Sequence, residues 1–142
     1  MRHFFSKLDS DRIVSAIAEA EKKSSGEIRV HVTRHKPANL EARAKRRFEL
    51  LGMTRTALRN GVLIYIAPKL RRFQILGDSG IHEKCGDDFW KETAAELESH
   101  FRKGEFTEGI VRAIQRAGDA LAAHFPRGTD DVNELSDEIS ED

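Results

Sequence analysis

The fold is decided by the stretch NGVLIYIAPKLRRFQIL, which spans residues 60–76. Its first part, residues 62–67, is an unbroken apolar run rich in β-branched residues, and such a run is typical of a strand buried on both faces. A turn signal follows at residues 68–71, and residues 72–76 again have strand character. The pattern therefore predicts an antiparallel hairpin whose first strand lies at the centre of a sheet.

Helices and one more strand flank this hairpin. Residues 27–33 alternate apolar and polar side chains, which predicts a half-buried strand with a polar second face. Four helices are predicted from apolar stripes and capping residues, and they begin at Asp9 or Ser10, at Asn39, near Gly86 or Asp87 after a loop over 77–82, and near Thr107. The order predicts an α/β fold, namely a three-layer α/β/α sandwich with a small central mixed sheet, in which the first two strands are parallel.

Composition limits the class of protein. The 142 residues suit one domain, and the single cysteine, Cys85, excludes a disulfide framework. No run approaches the ~20 apolar residues of a membrane span, so we expect a cytoplasmic protein without membrane insertion. Residues 127–142 hold seven acids and one base, for a net charge of −6, which leaves +6 on residues 1–126 because the whole chain is neutral. We expect a domain at 1–126 and an acidic, disordered tail at 127–142.

This topology predicts that several polar residues lie together at one edge of the sheet. If the first two strands are parallel and the third is antiparallel, the loops at residues 25–27, 59–61 and 77–80 meet there. Carboxylate and amide oxygens suit a hard cation such as Ca²⁺ or Mg²⁺. The candidate metal-binding residues are Glu27, Asn60 and Asp78, with Asp87 and Asp88 close by in sequence. The alternative is that these residues only form turns and helix caps.

Catalytic residues are not identified by the sequence. The histidines show no close pair at metal-ligand spacing, and we expect them to be scattered surface or boundary residues. Whether the protein is an enzyme therefore stays open at this point.

Several short motifs occur in a characteristic order. They are Ser24–Val30, Arg59–Tyr65, Phe73–Ile81, Phe89-Trp90, Phe101–Phe106 and Gly109-Ile110. Together they resemble the TPM domain family over roughly residues 9–126. The closing His124-Phe125-Pro126 and the acidic stretch 131–135 resemble the short cytoplasmic branch of that family. The resemblance implies a central mixed sheet between helices. Family members are often labelled phosphatases and some look like calcium or magnesium binders, which places the weight on Asp78 and Asn60.

Three functions remain open on this basis. The leading hypothesis is an accessory module that binds a divalent cation or a small anion at the edge with Glu27, Asn60 and Asp78. The second is a metal-assisted phosphatase acting on phosphomonoesters, with Arg59 as an electrostatic clamp. The third is a protein-interaction module in which the basic body and the acidic tail regulate each other. Nucleic acid is not an expected partner, because the basic residues at 43–47 lack interleaved aromatic side chains.

Overall fold

The computed structural model describes residues 8–127 and 137–142. The predicted tail is therefore described only in part, and its stretch 128–136, with the acidic motif at 131–135, lies outside the described residues. The elements are α1 (Ser10–Lys22), β1 (Glu27–Val32), α2 (Leu40–Leu50), a 3-10 turn (Met53–Arg55), β2 (Gly61–Ala67), a second 3-10 turn (Pro68–Leu70), β3 (Arg72–Gly77), α3 (Ser79–Arg102), α4 (Phe106–His124) and β4 (Ser140–Glu141).

The sheet has the strand order β3-β2-β1-β4 in the described residues. β1 and β2 are parallel, with Glu27 opposite Gly61, and β2 and β3 are antiparallel, with Val62 opposite Gly77. The hairpin and the parallel unit predicted from the sequence are both confirmed. β4 adds to the other side of β1 and runs parallel to it, with His31 opposite Ser140.

Helices cover both faces of this sheet, and β2 is therefore buried along its whole length. On one face, α1, α3 and α4 pack their apolar stripes against the β1 and β2 side chains that include Val30 and Ile64. On the other face, α2 places Leu40, Ala44 and Phe48 over Leu63 and its neighbours. The predicted three-layer α/β/α sandwich is confirmed. No helix among the described residues is long and apolar enough to cross a membrane.

Helix α3 begins earlier than the sequence predicts. The expected loop at 77–82 is the first turn of a helix that starts at Ser79, and Asp78 caps it. Gly86 interrupts the helix with φ 76° and ψ 175°, a left-handed backbone that favours glycine. The apolar stripe used for the prediction belongs to the part of α3 after this interruption, which explains the misplaced start.

The polar face of β1 is more buried than predicted. His31 and Thr33 are both fully buried, although the alternating pattern predicted a half-buried strand and the histidines were expected near the surface. The reason is that His31 stacks on Tyr65 of β2, whose face α2 covers, while residues 137–142 cover the outer edge of β1.

The end of the acidic tail also differs from the prediction of a disordered segment. Residues 137–142, called the tail segment below, lie along β1, and Ile139 packs against the main core. Ser140 and Asp142 then point to the α2 face of the sheet, since side chains alternate along a strand. A short alternating stretch with one apolar residue gave too weak a signal to distinguish it from the rest of the acidic tail.

Substitution of Gly80 by alanine tests the close approach at the start of α3. A Cβ atom at this position would overlap the backbone carbonyl oxygens of Leu58 and Arg59. We expect Gly80→Ala to lower the free energy of unfolding by about 1–3 kcal/mol, as overpacking does. Urea denaturation measures this, and Ser79→Ala at the exposed neighbouring position is the control. Equal stability of the two variants would contradict the described packing.

Candidate functional site

The three predicted loops do meet at one edge of the sheet. The backbone N–H of Glu27 donates to the Asn60 carbonyl at 3.4 Å, and the backbone N–H of Asp78 donates to the Gly61 carbonyl at 2.9 Å. The Asn60 side-chain amide donates to the Ser25 hydroxyl at 3.2 Å. The parallel and antiparallel pairings of β2 produce this convergence, as the topology predicted.

Asp78 is held by Arg59 at this edge. Arg59 Nε lies 2.7 Å from one carboxylate oxygen and Nη2 lies 2.9 Å from the other, so the pair is bidentate. The backbone N–H of Ser79 also donates to the carboxylate at 2.8 Å, which caps α3. Hydrogen bonding to Asp78 raises the pKa of the exposed Arg59. Both oxygens of Asp78 are therefore engaged within the chain.

The candidate metal-binding residues have different surroundings in this structure. Glu27 is buried and interacts electrostatically with Glu21 and Arg29, whereas the Asp78 carboxylate is paired with the Arg59 guanidinium. Asp87 and Asp88 are exposed after the interruption of α3, and Asp87 lies 3.5 Å from His82. Residues 8–127 and 137–142 contain no group of three or more His, Cys, Asp or Glu side chains placed to hold a metal ion. The Ca²⁺ or Mg²⁺ site stays a prediction.

A second polar site lies at the outer edge of β1, where the tail segment binds. The N–H of Asp142 donates to the Val32 carbonyl at 3.2 Å, and the N–H of Arg34 donates to the Asp142 carbonyl at 3.0 Å. These bonds satisfy backbone groups that an edge strand otherwise leaves open. The tail segment thus extends the sheet by one short strand.

Charged side chains surround the tail segment at this edge. Arg47 Nη2 lies 2.6 Å from one Asp142 carboxylate oxygen, and His31 Nε2 lies 3.0 Å from the other. The Ser140 hydroxyl contacts His31 Nδ1 at 2.9 Å, and Arg34 pairs with Glu141 at 3.3 Å. The buried side chain of His31 therefore contacts Ser140 and Asp142, whereas the exposed side chain of Arg34 contacts Glu141 between them.

Burial and neighbouring charges shift the pKa values of His31 and Asp142 at this edge. Burial lowers the pKa of His31, although Asp142 opposes the shift, so the imidazole is neutral at neutral pH. A neutral ring can accept from the Ser140 hydroxyl at Nδ1 and keep its proton on Nε2, which faces Asp142. Burial raises the pKa of Asp142, but hydrogen bonds from Thr33 and His31 and the charge of Arg47 outweigh it, and the pKa lies below its usual value. Asp142 is a carboxylate here.

Glu21 completes the edge of β1 at its other end. It is only 2% exposed, and its Oε2 accepts from the backbone N–H of Ile28 at 2.7 Å. Burial, together with a hydrogen bond to Asp137 of the tail segment, raises the pKa of Glu21 to about 10. The sequence analysis missed this residue. The signal was present, because Glu21 follows Ile17 by four residues on the apolar stripe of α1.

These features define an α/β sandwich with an occupied strand edge, and the comparisons with known proteins assign its family. The sequence profile of the TPM domain matches residues 1–120, and the chain belongs to the TPM domain family. No functionally curated protein matches the chain.

Solved structures agree with this assignment. The NMR structure of the BA42 protein from the psychrophilic bacterium Bizionia argentinensis is 42% identical, with a TM-score of 0.87 and 96% of each chain covered. The N-terminal domain of a protein from P. gingivalis is 19% identical, with a TM-score of 0.65, over 83% of this chain and 76% of that one. The N-terminal domain of cg2496 from Corynebacterium glutamicum is 13% identical, with a TM-score of 0.65, over 91% and 82%. The last two show the fold alone.

Substitutions of Asp78 separate its capping role from its charge. Asp78→Ala removes the N-cap, which costs about 1 kcal/mol, and also leaves Arg59 without this partner. Asp78→Asn keeps a good N-cap but loses the charge and one of the two acceptors for Arg59, so we expect its melting temperature to lie between those of the wild type and Asp78→Ala. Asp87→Ala, at an exposed position, is the control. An Asp78→Ala melting temperature equal to that of Asp87→Ala would exclude a structural role for Asp78.

Proposed function

We propose that this TPM domain protein is an interaction module whose β1 edge binds an extended acidic segment of a partner protein. The observation that carries the proposal is the tail segment itself, which occupies this edge as a parallel strand with its carboxylates on basic side chains. The tail segment is then the internal occupant of a site that a partner segment can also use.

Backbone pairing supports this function. Strand addition at a sheet edge gains affinity from main-chain hydrogen bonds and specificity from alternate side chains. At the β1 edge, Val32 and Arg34 both use backbone groups to bind Asp142. These two backbone bonds can be made to an extended segment of any sequence, so they do not restrict the site to the tail segment.

Side-chain contacts provide the preference for acidic segments. Arg47 is mostly buried and binds one carboxylate, and His31 contacts the same group from β1. Arg34, which is more exposed, pairs with the next acidic side chain. The basic body and the acidic tail of the sequence analysis meet at this edge, which favours the third of the functions considered there.

The tail segment forms only a short strand, so a partner segment can displace it. β4 covers only Ser140–Glu141, and exposed ion pairs such as Arg34 with Glu141 contribute about 0–1 kcal/mol. The tail segment competes mainly because it is tethered, which gives it an effective concentration on the order of millimolar. A partner with more pairing residues can overcome this concentration.

The other two functions lack such an observation. Cation binding at the edge with Asp78 would have to replace the contacts that Arg59 already makes with both carboxylate oxygens. For phosphatase chemistry, the same pairing engages two nitrogens of the guanidinium that was expected to act as the clamp. Both functions stay predictions.

Titration of a labelled peptide tests the proposal. The peptide DEISED, which copies residues 137–142, is added to the full chain and to the full chain carrying Glu141→Lys and Asp142→Lys. The two substitutions weaken the internal tail segment and leave the β1 edge intact. We expect the double variant to bind the peptide at least about tenfold more tightly than the wild type, because the tethered competitor is lost. Fluorescence anisotropy measures both affinities.

Matched changes on α2 provide the control. In the double variant, Arg47→Gln removes the contact to the peptide carboxylate and should weaken binding about tenfold. Lys45→Gln makes the same charge change at an exposed position that pairs with Glu41, and it should leave the affinity nearly unchanged. Equal losses in these two variants would indicate nonspecific attraction, and no binding to the double variant would reject the function.

A further inference from the structure

We propose that docking of the tail segment takes up one proton at Glu21, so that rising pH releases the tail segment and opens the β1 edge. The inference rests on the proposed function, because it describes how the same edge is closed and opened. The geometry that supports it is a buried carboxyl group of α1 in hydrogen-bonding contact with a carboxyl group of the tail segment.

The position of Glu21 leaves one of its oxygens in need of a proton. Oε2 accepts from the backbone N–H of Ile28. Oε1 is buried, and no N–H or hydroxyl group of residues 8–127 or 137–142 donates to it. An ionised carboxylate in this position would have an uncompensated buried oxygen, which is costly. A protonated carboxyl group can instead donate from Oε1 to an acceptor.

Asp137 is the acceptor that the tail segment brings. Its side chain is hydrogen-bonded to the Glu21 carboxyl group, which two carboxyl groups can achieve only when one proton lies between them. Such a bond between a neutral and an ionised carboxyl group is charge-assisted and strong. The proton therefore binds the tail segment to α1.

Among the other charged groups at this contact, the acids disfavour ionisation of Glu21 and the positive charge of Arg29 opposes them. From β1, Glu27 adds a negative charge and Arg29 adds a partly buried positive charge. From the tail segment, Asp137 adds a further negative charge, and Glu138 interacts with Arg29. After α4, Arg127 donates to the backbone carbonyl of Glu21 at 2.8 Å. Burial is the largest contribution, and together these surroundings raise the pKa of Glu21 to about 10.

Release of the tail segment reverses these effects. Asp137 leaves, water reaches the carboxyl group, and the pKa of Glu21 returns toward its ordinary value of 4.5. The docked form then holds one proton more than the released form between these two values. A group whose pKa is raised by docking stabilises the docked form fully at low pH, and this contribution is lost as pH rises toward 10.

His31 sets the lower limit of the useful pH range. Burial lowers the pKa of His31 from its ordinary value of 6.5, so docking releases a proton from this ring at pH values below about that ordinary value. That release opposes the uptake at Glu21. Above about pH 7 the ring is neutral in both forms. The ratio of docked to released tail segment should therefore fall about tenfold for each pH unit between 7 and 9.5.

The test compares the full chain with Glu21→Gln across this range. Glutamine keeps the acceptor for the Ile28 N–H and donates an amide hydrogen to Asp137, so it imitates the protonated carboxyl group at every pH. Carbon-detected NMR of the backbone carbonyls of residues 139–142 measures the docked fraction. We expect the tail segment of the wild type to be released as pH rises and that of Glu21→Gln to remain docked.

Two further variants control the experiment. Glu19→Gln removes an exposed acid from the same helix, and its pH dependence should follow the wild type. Asp137→Asn changes only the tail segment and therefore leaves the α1 core in place. It removes one negative charge beside Glu21, which lowers the pKa of Glu21 in the docked form, so the tenfold fall of the ratio per pH unit should end at a lower pH than in the wild type. If Glu21→Gln does not fold, the comparison of Asp137→Asn with the wild type still tests the proposal.

The outcomes distinguish the proton uptake from the proposed function. A Glu21→Gln chain that releases the tail segment as the wild type does, or a wild-type tail segment that stays fully docked through pH 9.5, overturns the proton uptake and leaves the edge site standing. Residues 139–142 released at every pH in all variants would overturn both proposals.

Discussion

The burial of β2 on both faces is the constraint on which the rest of the structure depends. Each of its seven residues is buried, so the strand needs a neighbour on each side and a helical layer above and below. β1 and β3 provide the neighbours, and α2 on one face and α1, α3 and α4 on the other provide the layers. Because β1 and β2 are parallel and β3 is antiparallel to β2, the loops before β1 and β2 and the loop after β3 lie at the same edge of the sheet. The position of Asp78 beside Arg59 follows from this packing.

The same constraint creates the need for a cover at β1. With β2 in the centre, β1 has only one side occupied by the hairpin, and its other side exposes backbone groups. Two parts of the chain form hydrogen bonds with these backbone groups. The Glu21 carboxyl group binds the Ile28 N–H, and the tail segment binds the backbone of Val32 and Arg34. Because Asp137 joins these two parts, the state of Glu21 and the position of the tail segment cannot vary independently.

The sequence predicts the repetitive parts of this fold and misses those that depend on one or two side chains. The apolar run of β2 and the caps at Asp9 and Asn39 carry a local signal, and the structure agrees with it. The start of α3 was misplaced because its first turn depends on the Asp78 cap and lacks an apolar stripe. At the site, the convergence of the loops was predictable from topology. The pairing of Asp78 with Arg59 was not, because it depends on side-chain geometry after folding.

The match to the TPM domain profile does not extend to the tail segment that occupies the β1 edge. The family profile matches residues 1–120, whereas the tail segment lies at 137–142. The fold is also shared by structures only 19% and 13% identical, so the sandwich tolerates wide changes of side chains. A function inferred from the fold alone would therefore be too general. The acid on the apolar stripe of α1 and the acidic strand that reaches it both lie at the β1 edge rather than at the edge with Asp78.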